Sequence, residues 1–92
     1  MVGILYGFAY SKKALRSLQS LEVRERRQIV KKIKDLASNP HPPGSRQVIG
    51  ERDGDEPVYR VRSGDYRILY VVRQPTISVI DIGHRKDIYR GT

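Results

Sequence analysis

The sequence predicts an α+β fold in the order β-α-α-β-β-β, with an antiparallel sheet and an N-terminal helical hairpin packed on one face. Three observations point to it. Apolar residues recur at helical spacing from Ala14 to Ala37. Apolar and polar residues then alternate on both sides of a two-residue loop, Gly64-Asp65. The last β-branched segment, Thr76–Ile82, is apolar on both faces, as a central or covered strand would be.

The first strand is expected over Val2–Ala9, where Ile4, Tyr6 and Phe8 alternate with Leu5, Gly7 and Ala9. Ser11 is a candidate N-cap, and Ala14, Leu15, Leu18 and Leu21 give one face of a helix over Lys12–Ser20. Glu22 opens a second helix. Its apolar stripe is Val23, Val30, Ile33 and Ala37, widened by Ile29 and Leu36, and Ser38-Asn39-Pro40 ends it. Two helices joined this closely form an αα-hairpin. Arg24, Arg26, Arg27, Lys31, Lys32 and Lys34 fill the rest of the second helix and read as a solvated face. After the rigid Pro40–Gly44 loop, Arg46–Ile49 reads as a short extended piece. Gly50–Glu56 reads as a polar loop turning at Asp53-Gly54.

Val58–Tyr70 carries most of the functional signal. A two-residue loop beginning with Gly suits a type II′ turn, or type I′ if both loop residues take positive φ, and either fixes the register. Ser63 then faces Tyr66, Arg62 faces Arg67, Val61 faces Ile68, Arg60 faces Leu69 and Tyr59 faces Tyr70. One face collects Arg60, Arg62 and Arg67; the other collects Tyr59, Val61, Ile68 and Tyr70. Arg62 opposite Arg67 is a like-charge pair that costs up to about 1 kcal/mol. Folding does not require that cost, whereas a polyanionic partner would explain it.

The 92 residues suit one domain, 1–92, with one modest core. Without Cys, the chain has no disulfide, no thiolate nucleophile and no thiolate metal site, which fits a reducing cytoplasm. Met1–Tyr10 is too short for a membrane span and lacks the charge of a signal peptide. Two His and no carboxylate cluster argue against a metal, and no cofactor is implied. Eighteen Lys+Arg against ten Asp+Glu give a net charge of +8, favouring nucleic acid or another acidic partner.

The segment after the last strand, Gly83-His84-Arg85-Lys86-Asp87-Ile88-Tyr89-Arg90, returns toward the Arg67 end of the hairpin. Arg85 and Tyr89 are therefore expected to converge on Arg60, Arg62 and Arg67. Such a site suits cleavage of RNA by its own 2′-hydroxyl. That reaction asks the protein for in-line geometry, proton transfer and neutralisation of charge at phosphorus. Arginine suits the charge role through its planar fork, but not the proton role, because its pKa lies above about 12. His84 and Tyr89 are the candidate proton carriers, and Tyr66 and Lys86 are candidate RNA contacts. Asp81, in an apolar strand, is expected to pair with a cation such as one of these arginines.

Together, Y-R-V-R-S-G-D-Y-R-I-L-Y and V-I-D-I-G-H-R-K-D-I-Y resemble the RelE/ParE superfamily of toxins from type II toxin–antitoxin modules, closer to the RelE branch. Tyr6-x-Phe8 followed by Ser11, Ala14, Leu15, Leu18 and Leu21 is similar to the family's first strand and helix. The resemblance implies a microbial-RNase-like fold and cleavage of mRNA in the ribosomal A site. It also implies a cognate antitoxin, with operator DNA bound only through the toxin–antitoxin complex. RelE-type basic positions fall on Arg60, Arg62, Arg67 and Arg85, and the C-terminal tyrosine falls on Tyr89. RelE carries lysines where this chain has Arg60 and Arg62, and its arginine-to-tyrosine spacing is longer. Two other readings stay open: a ParE-like toxin that inhibits DNA gyrase without cleaving RNA, and a plain RNA-binding module.

Overall fold

The computed structural model describes residues 6–84. The elements are β1 (Gly7–Tyr10), α1 (Lys12–Ser20), α2 (Val23–Leu36), β2 (Arg46–Asp53), β3 (Glu56–Ser63), β4 (Tyr66–Arg73) and β5 (Thr76–His84). The strands form one open five-stranded sheet in the order β1-β5-β4-β3-β2.

Local chemistry sets the helix boundaries. The Ser11 hydroxyl accepts from Ala14 N at 3.0 Å and donates to the Ile80 carbonyl at 2.7 Å. It therefore caps α1 and ties it to β5. Arg26 closes the junction between the helices, its Nη2 donating to the Leu21 carbonyl at 2.9 Å. Ala14, Leu18, Ile29, Ile33 and Leu36 pack onto Val61, Ile68, Tyr70, Ile77, Val79 and Ile82 of the sheet. Val61, Ile68 and Tyr70 come from the hairpin face opposite the arginines.

All five hairpin pairs occur as expected, from Ser63 opposite Tyr66 to Tyr59 opposite Tyr70. Gly64 has φ +59°, and no residue other than glycine has positive φ among those described. This is the type II′ arrangement. β5 is central, between β4 and β1, in accord with its apolar faces.

Two features differ from expectation. The sheet is mixed rather than purely antiparallel, because β1 runs parallel to β5 with Gly7 opposite Thr76 and Tyr10 opposite Val79. The β4 strand is flanked by β3 and β5, so the free edge of β5 is where an N-terminal strand docks. β1 is also shorter and later than Val2–Ala9, and the Val2–Leu5 part of that expectation lies outside the described residues. The second difference is a further strand. β2 runs through Gly50 to Asp53, where a polar loop was expected. Its register on β3 shifts between Gln47 and Arg52. Such a bulge breaks the alternation by which strands are read from sequence.

Candidate functional site and family

The two faces of the sheet have different tasks. The face under the helices is the core. Strand alternation puts Arg60, Arg62 and Arg67 on the other face, with Arg62 directly opposite Arg67 and Arg60 opposite Leu69. Val58 and Val71, also buried, lie on this second face and are separate from the helix-side cluster. An apolar base therefore adjoins the arginines.

Arg67 is only 8% exposed, and its Nε is buried without a hydrogen-bond partner among the described residues. On the β5 side its register partner is Gly83, which contributes no side chain. On the β3 side its partner is another guanidinium, Arg62. A buried unpaired charged group costs more than the 1–3 kcal/mol typical of a neutral one. The two ion pairs among the described residues, Lys13–Asp81 at 3.1 Å and Arg73–Asp53 at 2.8 Å, involve none of these arginines. Asp81 thus has a cationic partner, but it is Lys13 rather than a site arginine; its other oxygen accepts from Ile82 N at 2.8 Å.

The structure does not bring every expected residue into the arginine row. Tyr66 and His84 face each other across β4 and β5, their rings edge to face with centroids 5.7 Å apart. They lie on the helix side, in line with Ile68 and Ile82. Tyr66 packs against the core, and its pKa is raised by burial and then by the nearby Glu25 carboxylate. Tyr66 and His84 therefore stand back to back with Arg67 rather than beside it. The physical reason is the two-residue period: each is one position away from a residue on the arginine face, so each points the opposite way. Reasoning from the end of the strand located His84 along β5 but not on its correct face. Arg85, Lys86 and Tyr89 lie outside the described residues.

Sequence reading also passed over Arg46. It sits directly opposite Arg60 on β2 and so joins the same face. The available signal was a basic residue at the start of an extended segment, but its register could not be counted across the bulge.

A second basic region lies on α2. Arg26, Arg27, Val30, Lys31 and Lys34 line an open cleft of about 340 Å³. The aliphatic stems of the cations form much of its wall. Among the described residues, no helix is long and apolar enough to cross a membrane.

The family model for the ParE toxin of type II toxin–antitoxin systems matches residues 8–89. The chain belongs to this family. It is a type II toxin–antitoxin toxin of the RelE/ParE superfamily. Among solved structures it is similar to the archaeal RelE–RelB complex from Pyrococcus horikoshii. There the identity is 27% over 90% of this chain and 98% of that chain, with a TM-score of 0.75. It is also similar to the RelBE2 toxin–antitoxin complex from Mycobacterium tuberculosis, at 25% identity over 91% of this chain and 95% of that one, TM-score 0.74. The DinJ–YafQ toxin–antitoxin complex from Escherichia coli shares the fold at 14% identity, covering 94% and 99% of the two chains with a TM-score of 0.70. None of the curated protein sequences matches the chain.

Proposed function

We propose that this toxin is an endoribonuclease that cleaves mRNA on the ribosome by attack of a 2′-hydroxyl on the adjacent phosphate, without a metal or cofactor. The observation that carries this reading is Arg67, nine-tenths buried, with an unpartnered Nε and a second guanidinium, Arg62, directly across the strand. A phosphate oxygen supplies what Arg67 lacks. The phosphorane gains negative charge as the 2′-oxygen bonds to phosphorus, and Arg62 and Arg67 meet that charge. The step forms a 2′,3′-cyclic phosphate and breaks the bond to the 5′-oxygen. One proton leaves the 2′-hydroxyl and one arrives at the 5′-oxygen.

Arg60 binds the same phosphate or its neighbour. Arg85 adds a further cation, Lys86 contacts the RNA backbone and Tyr89 carries a proton. His84, which lies beside Tyr66 on the helix side of the sheet, is given no proton-transfer role. The reading treats 1–92 as one toxin domain acting in the cytoplasm. Its partner is a cognate antitoxin that covers the arginine face or the basic cleft on α2 with acidic side chains. Operator DNA is reached only through that complex. Support for the partner comes from the similar RelE–RelB and RelBE2 structures, which are toxin–antitoxin complexes.

The ParE name of the matching family favours a second reading, inhibition of DNA gyrase without RNA cleavage. One experiment separates the two. The toxin is expressed without an antitoxin, and mRNA 5′ ends are mapped during translation. New 5′ ends that disappear in Arg67→Met, Arg85→Ala and Tyr89→Phe variants are expected. Intact mRNA together with gyrase-linked DNA breaks would replace the nuclease reading with the second.

A further inference from the structure

Arg46 and Arg60 form a second like-charge pair beside Arg62–Arg67. Arg46 is directly opposite Arg60 across β2 and β3, as Arg62 is opposite Arg67 across β3 and β4. Directly opposed residues share a face, so all four guanidiniums project from the side of the sheet without helices. Each pair is about 5 Å wide between Cα atoms. The two pairs are offset by two residues along β3, about 7 Å. Each juxtaposition costs up to about 1 kcal/mol if nothing negative lies between its members. Arg46 is exposed and Arg60 half-buried, and no side-chain partner holds either one among the described residues. The other β2 arginine behaves differently. Arg52 lies beyond the bulge, pairs with Pro57 on the opposite face, and its Nη1 donates to the Asp55 carbonyl at 2.8 Å.

We propose that the Arg46–Arg60 pair is a second phosphate-binding position, which holds a backbone phosphate of single-stranded RNA next to the one held by Arg62 and Arg67. The RNA then crosses the strands obliquely from β4 to β2. Arg46 is a positioning residue that fixes which phosphodiester reaches Arg67. The inference rests on the endoribonuclease reading above and extends it by one position along the substrate.

The test uses the full chain and a single-stranded oligoribonucleotide with 2′-O-methyl groups, which binds but cannot be cleaved. Its dissociation constant is measured across a salt series. Removing one phosphate contact from a single strand lowers the slope of log K against log salt by about 0.7. That decrease is expected for Arg46→Ala, with affinity about tenfold weaker at low salt. Arg52→Ala should match the wild type, and Arg46→Lys should restore the slope. In mRNA cleavage, Arg46→Ala should raise KM with little change in kcat. The proposal is overturned if Arg46→Ala keeps the wild-type slope, or if Arg46→Lys is as impaired as Arg46→Ala. A wild-type protein that neither binds the oligonucleotide nor cleaves mRNA would overturn the endoribonuclease reading itself, and this position with it.

Discussion

Arg67 occupies a buried strand position where packing alone would favour an aliphatic residue. Its guanidinium has no counter-charge among the described residues, so it stabilises the fold little; Met offers a similar length with no charge to desolvate. Arg67→Met is expected to keep or raise the melting temperature, by up to several degrees for a domain of this size. The same change should slow mRNA cleavage at least about 100-fold. A fall in both quantities would mean that the charge supports the fold. Tyr70 shows the opposite case, a polar group fully used in folding. It is completely buried, its hydroxyl donates to the Pro40 carbonyl at 2.6 Å, and burial pushes its pKa up to about 12. The unfolded tyrosine ionises near pH 10, whereas the folded one keeps its proton. The stabilisation is therefore complete below about pH 10 and is lost as pH rises toward 12, at up to about 1.4 kcal/mol per pH unit. Tyr70→Phe should be less stable at neutral pH by about 1 kcal/mol and should lose that part of the alkaline sensitivity, as read from urea unfolding at several pH values.

The elements differ in how much of them could be read from sequence. The β3–β4 hairpin was legible residue by residue, because Gly64-Asp65 leaves no freedom of register and strict alternation follows. Gly64→Ala, forced into φ +59°, is expected to cost about 1–2 kcal/mol in chemical denaturation while leaving the far end of the sheet intact. The α1 cap was legible as well, since Ser11 precedes the first apolar helical position. Ser11→Ala removes both the cap and the bond to Ile80, and should cost about 1–2 kcal/mol in the same assay. β2 was legible only in its first half, Arg46–Ile49. Its bulge and the Gly, Glu, Arg and Asp residues of its second half hide the period of two, so Gly50–Asp53 resembled a loop and the face of Arg46 could not be assigned. The parallel pairing of β1 was hidden for another reason. Its partner β5 lies at the opposite end of the chain, and periodicity names no partner.

At the scale of the molecule, the helices cover one face of the sheet and the arginine row lies on the other. The candidate site was legible where a single turn fixed the faces, at Arg60, Arg62 and Arg67. It was misread at His84, where position along the chain was used in place of strand alternation. The layout has a consequence for mutation. The core takes the odd-numbered Tyr59 and Val61, whereas the proposed anion site takes the even-numbered Arg60 and Arg62 that alternate with them. Deleting one residue from β3 inverts this parity and drives guanidiniums toward the core. Deleting two neighbouring residues preserves it. Losses in pairs should therefore leave a folded protein more often than single losses, a bias that a library of one- and two-residue deletions scored for soluble expression would reveal.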